Sequence, residues 1–203
     1  MKTIYCFILF QILLSTCIGQ NFEGRIVYKV EFTDSSADYH FSSIDQEYFK
    51  NGDFKVVSSD STYPWSLYIN AENKYYARLG KSDTVKWTDG TLNHDSIISI
   101  HSIKNVINIL GYNCDECIMT CTNGIKKYYY SSTNFKMDGK QFIDYRSGNW
   151  ADFLLLTNSL PLMQIEDSKN THTRIVAIAT AKMKLDESFF KLPGNAILVK
   201  EVY

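Results

Sequence analysis

Three cysteines, Cys114, Cys117 and Cys121, form the cluster whose spacing comes nearest to a chemical site. A Cys-x-x-Cys pair can host redox exchange, metal binding or, in an oxidising compartment, a disulfide. Thioredoxin-type redox sites need a helix N-terminus to lower the thiol pKa, but the neighbouring residues are typical of strand and turn. Zinc needs four ligands, and only His94 and His101 lie near in sequence.

We therefore expect a structural disulfide that joins Cys114 to Cys117 or to Cys121. Cys117 and Cys121 cannot bond to each other within one regular strand, because residues four apart lie roughly 13 Å from each other. Buried free thiols and a thiol-redox protein remain the alternatives.

The remaining polar residues offer no catalytic set. The four histidines are scattered, and carboxylates such as Asp144, Asp152, Glu166 and Asp167 fall in loops or at element ends, where solvation or helix capping is their ordinary role. The sequence has no nucleophile elbow and no phosphate loop. A formal net charge of −1 gives no basic surface for nucleic acid. We predict no enzyme activity, no cofactor, no metal and no nucleic-acid partner.

Aromatic residues are abundant, at 14% of the chain. Amphipathic rings suit a half-wet apolar cleft, although they also fill the core of a large sheet. In the consecutive Tyr128-Tyr129-Tyr130, neighbouring rings point to opposite faces of a strand, and an exposed tyrosine would favour a protein-binding surface. The candidate groove-lining residues are Trp65, Tyr68, Trp87, Tyr112, Tyr129, Trp150, Phe153 and Leu154.

The elements that must position these rings are predicted to be mostly strands. Runs of alternating or β-branched residues flank three tight-turn dipeptides, Asn51-Gly52, Asp89-Gly90 and Asn123-Gly124, and one longer turn, 70–73. Successive hairpins of this kind predict an antiparallel meander. The hairpin at Asn123-Gly124 is expected in the middle of the sheet.

One helix is predicted after Ser147-Gly148-Asn149, over 150–157, and one helical turn is predicted after Asp186. The predicted fold is mainly β (α+β), with a single strongly curved antiparallel meander sheet. We expect it to form a half-open barrel with one or two short helices against its concave face.

The N-terminus is predicted to be a signal peptide. Lys2 precedes an apolar run from Ile4 to Leu14, which is too short to span a membrane, and we place the leader at 1–20. Acylation of Cys17 as a lipid anchor is the alternative. Residues 21–203 have a suitable length for one domain, and no later segment predicts a transmembrane span. We expect an exported protein, either periplasmic, associated with the outer membrane or secreted.

Four short motifs are spread along the chain. They are Gly24-Arg25-Ile26-Val27-Tyr28, Ile109-Leu110-Gly111-Tyr112-Asn113-Cys114, Leu160-Pro161-Leu162-Met163 and Phe189-Phe190-Lys191-Leu192-Pro193-Gly194. With these motifs the chain resembles exported Bacteroidetes-type proteins of uncharacterised function related to the DUF4412 and GLPGLI families. Their fold is similar to that of the periplasmic lipoprotein carriers (LolA/LolB-like).

The resemblance implies a LolA-like domain whose concave face takes an apolar ligand. We therefore expect a non-enzymatic cell-envelope protein that binds a lipid or a lipoprotein acyl chain. The alternative is a protein-interaction module that uses an exposed sheet edge and a tyrosine-rich surface to bind an envelope protein.

Overall fold

A computed structural model describes residues 21–201 of the chain. The predicted signal peptide, 1–20, and Cys17 lie outside the described residues. The described part contains twelve strands, one α-helix and four 3₁₀ turns. The strands are β1 Gly24–Asp34, β2 Tyr39–Lys50, β3 Asp53–Ser58, β4 Trp65–Ile69, β5 Lys74–Arg78, β6 Thr84–Asp89, β7 Ile97–Ile109, β8 Tyr112–Cys121, β9 Gly124–Tyr130, β10 Pro161–Ser168, β11 Thr171–Lys182 and β12 Ile197–Lys200. The helix is α1, Trp150–Thr157, and the 3₁₀ turns are Asn70–Glu72, Gly139–Phe142, Ser147–Asn149 and Glu187–Phe190.

All twelve strands belong to one sheet, in the order β12-β6-β5-β4-β3-β2-β1-β11-β10-β9-β8-β7. Two antiparallel meanders, β1–β6 and β7–β11, are joined side by side where β1 pairs with β11. The edge strands β7 and β12 do not pair, so the sheet stays open. This confirms the mainly β, half-open architecture. One strand departs from the antiparallel prediction, because β12 pairs with β6 in parallel.

The hairpin predicted at Asn51-Gly52 is confirmed. Both residues have positive φ, 50° and 89°, as a primed turn between β2 and β3 requires. The hairpin between β8 and β9 is also present, with Cys121 opposite Gly124. Gly124 is required there by close packing, since a Cβ would lie 2.0 Å from the carbonyl oxygen of Asp167.

Two predictions about sheet order are wrong. Asp89-Gly90 does not close a hairpin, because β6 and β7 lie toward opposite ends of the sheet. Gly90 instead donates its N–H to the Asn73 carbonyl and accepts from the Arg146 N–H at 2.7 Å, so the chain crosses the sheet rather than reversing. The β8–β9 hairpin lies near one end, and β1 and β2 occupy the middle.

The helix predicted over 150–157 is confirmed as α1, which ends where Asn158 adopts a left-handed φ of 47°. Eight residues are too few for a stable isolated helix, so tertiary packing must hold it. Phe153 is fully buried and stacks on Tyr128, with 4.2 Å between ring centroids. Gly139 allows a close approach, since a Cβ would lie 2.4 Å from the Leu154 carbonyl oxygen. Within residues 21–201 no helix is both long enough and apolar enough to cross a membrane.

The sheet buries apolar side chains on both faces. The larger core lies on the face that packs against α1, and a smaller core of Leu67, Tyr76, Val85 and Phe190 lies on the other face. The helical turn predicted after Asp186 is confirmed as the 3₁₀ turn Glu187–Phe190, and it covers the second core. The Asp186 carboxylate caps this turn by accepting a hydrogen bond from the Ser188 N–H at 2.7 Å. Along β4 and β5, strand alternation therefore places Tyr68 and Tyr75 in the larger core and Trp65 and Tyr76 in the smaller one.

Candidate ligand-binding cavity

A cavity of about 420 Å³ lies between the α1-side face of the sheet and the segment that leads into α1. Small-molecule sites typically have volumes of roughly 300–1,000 Å³. Strands β1, β2, β3, β5, β6, β9, β10 and β11 all contribute to its wall. The wall residues are Tyr28, Glu47, Phe54, Val56, Tyr75, Thr88, Tyr128, Tyr145, Ser147, Gly148, Trp150, Pro161, Gln164, Glu166 and Ile175.

Cross-strand register brings the wall residues of the first meander together. Residues directly opposite each other in a sheet share a face, and Glu47 of β2 lies opposite Val56 of β3. Tyr28 of β1 is buried and donates its hydroxyl to the Pro161 carbonyl at 2.7 Å, which ties β1 to the start of β10. Burial raises the pKa of Tyr28, so this hydroxyl stays a neutral donor.

The aromatic part of the wall is held by ring contacts behind it. Tyr145 packs against Tyr68 at 4.3 Å and against Phe54 at 5.7 Å between centroids. Trp150 packs against Tyr128 at 6.3 Å. These contacts fix the rings in place, so the wall is largely preformed. Ligand binding therefore costs little side-chain entropy. The indole N–H of Trp150 is buried and has no acceptor in the described part of the chain.

Glu47 is the outstanding polar group of the cavity. Its side chain is partly exposed, and it lines the cavity. Among residues 21–201 its carboxyl has no hydrogen-bond donor and no ion-pair partner, whereas the neighbouring Asp45 accepts from the hydroxyls of Ser43 and Ser58 at 2.9 and 2.5 Å. Burial, followed by repulsion from Asp45, raises the pKa of Glu47 to about 8. The carboxyl is thus largely neutral at pH 7 while the cavity is empty.

A polar cleft of about 300 Å³ adjoins the cavity and shares Ser147, Gly148 and Glu166 with it. The Ser147-Gly148 segment therefore forms a rim between the two spaces. Lys126 holds this rim, because its Nζ donates to the Gly148 carbonyl at 2.9 Å and lies 3.5 Å from the Asp95 carboxylate. Gly148 has a positive φ of 62°, which glycine adopts without strain.

The predicted groove-lining residues are distributed over three places. Trp150 lines the cavity. Tyr68, Phe153 and Leu154 are fully buried in the larger core behind it. Tyr112 packs on Phe135 in the same core, at 4.9 Å between centroids.

Tyr129 alternates with Tyr128 along β9 and is buried opposite Glu116 and Met163. Trp65 and Trp87 pack in the second core, on the other face of the sheet, because strand alternation directs them there with Leu67. Each of these two rings has a lysine above it, with Lys55 at 5.7 Å from Trp65 and Lys74 at 4.8 Å from Trp87.

Sequence reasoning missed Glu47 and most of the aromatic wall. The inner face of β2 carries Ser43, Asp45, Glu47 and Phe49, so it shows little of the apolar alternation that marks a core-facing strand. The tyrosines of the wall could not be told from other core tyrosines without the strand pairing.

The expected disulfide between Cys114 and Cys117 or Cys121 is not formed in the structure, where all three cysteines are buried free thiols, the alternative that the sequence left open. Burial raises the pKa of Cys114 and of Cys117 to about 11. Because the thiolate is the reactive form, such thiols are poor nucleophiles at neutral pH. Within residues 21–201 no three of the His, Cys, Asp and Glu side chains are grouped as a metal site.

No protein-family profile matches the chain, and neither does any curated protein. Among solved structures it is similar to an uncharacterized conserved protein from Thermus thermophilus, with 8% identity, a TM-score of 0.53 and coverage of 95% of this chain and 99% of that one. It is also similar to PNGF-II, with 13% identity and a TM-score of 0.50, over 88% of this chain but only 31% of PNGF-II.

A LolA superfamily protein from Nitrosomonas europaea matches at 9% identity and a TM-score of 0.44, over 86% of this chain and 91% of that one. Identities this low concern the fold alone. The chemistry of the cavity must therefore be argued from its own residues.

Proposed function

We propose that this protein is a non-enzymatic cell-envelope binding protein that holds one apolar ligand in the cavity between the sheet and α1. The observation that carries this proposal is the cavity itself, in which six aromatic rings of residues 21–201 line a preformed space of about 420 Å³. Apolar surface transferred from water to such a wall gains about 25 cal/mol per Å². A ligand with one alkyl chain, such as a lipid or acyl chain, has the matching chemistry.

The polar groups of the chain support binding rather than catalysis. The pKa values of Cys114 and Cys117 are raised, and Glu47 has no hydrogen-bonded partner in the described residues that would complete an acid–base pair. The leader predicted at 1–20 and the resemblance to the exported DUF4412 and GLPGLI families support an envelope location, with a lipid anchor at Cys17 as the alternative to cleavage.

The first test is to identify what the purified protein carries. Native mass spectrometry and solvent extraction should reveal one apolar molecule per chain, and a fluorescent apolar probe should bind the emptied protein with a stoichiometry of one. Val56→Trp places a large ring in the cavity and should abolish probe binding. Ile178→Trp, at a side chain 48% exposed on β11, is the matched control and should bind normally. Equal binding by both variants would place the apolar site elsewhere.

A second candidate function has its own observation. Strand β7 lies at a sheet edge, and five exposed apolar side chains lie along its 13 residues, namely Ile98, Ile100, Ile103, Val106 and Ile107. An unpaired apolar edge is a template for strand addition by another chain. A tyrosine-rich binding surface has less support, since Tyr128, Tyr129 and Tyr130 are all buried.

The edge can be tested by self-association. If a second copy pairs with β7, sedimentation velocity should show a dimer whose population grows with concentration. Ile103→Lys should abolish this dimer, because a charge on an edge strand opposes edge-to-edge pairing. If the wild-type protein stays monomeric at high concentration, self-association through β7 is excluded.

A further inference from the structure

The cavity wall has a one-sided charge content. Among residues 21–201 it contains two carboxyl side chains, Glu47 and Glu166, and no lysine, arginine or histidine. Glu166 accepts a hydrogen bond from Gln164 Nε2 at 2.7 Å. Glu47 has no donor among the described residues, and Asp45 lies two positions along the same face of β2. Lys126 lies opposite Glu166 across β9 and β10, so the uncompensated carboxyl is that of Glu47, and a partly buried carboxyl without a cation favours an incoming positive charge.

The rings around this carboxyl have the same electrostatic preference. Tyr28, Tyr75, Tyr128, Tyr145 and Trp150 all line the cavity, and the face of an aromatic ring carries negative charge density that attracts ammonium groups. Burial raises the pKa of Tyr28 and of Tyr145, and the charge of Glu47 contributes to both shifts in the same direction. The ionised form of Glu47 therefore disfavours carboxylate or phosphate head groups.

We infer that the ligand carries an ammonium group, which ion-pairs with Glu47 among the aromatic rings while the apolar remainder of the ligand fills the cavity. This inference rests on the proposed function of the same cavity. Binding requires no bond making or breaking beyond proton transfer. Since Glu47 is largely protonated at pH 7 in the empty cavity, the ammonium ligand binds with release of that proton to solvent.

The inference is tested with three probes of one chain length, decylammonium, decanol and decanoate, each below its micellar concentration. Isothermal titration at pH 8.5 measures their affinities for the full chain emptied of any ligand. We expect decylammonium to bind at least about tenfold more tightly than decanol, as cation–π contacts and a charged hydrogen bond predict. Decanoate should bind more weakly than decanol.

Substitutions then assign the preference to Glu47. Glu47→Gln should reduce decylammonium affinity to within about threefold of decanol and leave decanol binding unchanged, which also shows that the cavity is intact. Glu47→Asp keeps the charge and should retain part of the preference. Glu31→Gln, at an exposed ion pair on β1, is the matched control and should behave as the wild type.

The outcomes separate the two proposals. If the three probes bind equally, or if decanoate binds most tightly, the ammonium inference is overturned and the apolar cavity function stands. If Glu47→Gln keeps the full ammonium preference, the inference is likewise overturned. If none of the probes binds, the cavity function fails together with the inference.

Discussion

Glu47→Gln should make the folded protein more stable above pH 7, although it removes a charged side chain. The reason is the difference between its folded and unfolded pKa values, which are about 8 and about 4.5. Between these values the folded chain binds more protons than the unfolded chain, so the wild type loses stability as pH rises. Glutamine does not titrate, so the stability of the Glu47→Gln variant does not fall with pH for this reason.

The magnitude follows from that interval. One pH unit of altered proton affinity is worth about 1.4 kcal/mol, which gives an upper limit of about 5 kcal/mol over the whole interval. The carboxyl faces a cavity that admits water, and an effective dielectric constant near 20 suits such sites better than the dry-protein value. We therefore expect Glu47→Gln to exceed the wild type by about 2 kcal/mol at pH 8.5 and to match it at pH 4.5.

Urea unfolding monitored by circular dichroism at pH 4.5, 6, 7 and 8.5 measures this difference. Other carboxyl groups titrate equally in both proteins and cancel. In Glu31→Gln the difference from wild type should stay constant from pH 6 to 8.5, because hydrogen bonds from Lys29 and Arg174 keep the pKa of Glu31 below its usual value. A glutamine variant that is less stable at every pH would show that Glu47 has a partner in solution and would refute the reasoning.

Three further results are expected. Phe153→Ala should cost about 3–5 kcal/mol of unfolding free energy in urea titrations, because it removes a fully buried ring, while Leu155→Ala, at a 41% exposed side chain, should cost less than about 1 kcal/mol. Maleimide labelling followed by peptide mapping should leave the three buried cysteines unmodified until the protein is unfolded, with or without reductant; labelling that requires reductant would establish a disulfide. Lys126→Met should release the rim at Gly148 and raise both association and dissociation rates of an apolar probe in stopped-flow measurements; unchanged rates would show that ligands enter elsewhere.

Local signals in the sequence predicted the elements that local interactions encode. Asn51-Gly52 gives a turn because both residues tolerate positive φ, and Asp186 caps a 3₁₀ turn through a bond to a backbone N–H two residues away. The helix over 150–157 is likewise readable from its own residues. Asp89-Gly90 looked like the other turns, but contacts with distant segments, at Asn73 and Arg146, direct the chain across the sheet.

By itself, the sequence determined that the chain is a run of strands with one short helix and that it carries a surplus of aromatic side chains. Tertiary structure alone decided which face each ring occupies, since a shift of one residue in a strand moves its side chain to the other face. It therefore separated Tyr75 and Tyr128, which line the cavity, from Trp65 and Trp87, on the opposite face. It also gave Glu47 its significance, because the charge of a carboxyl becomes costly only when distant strands enclose it without a cation.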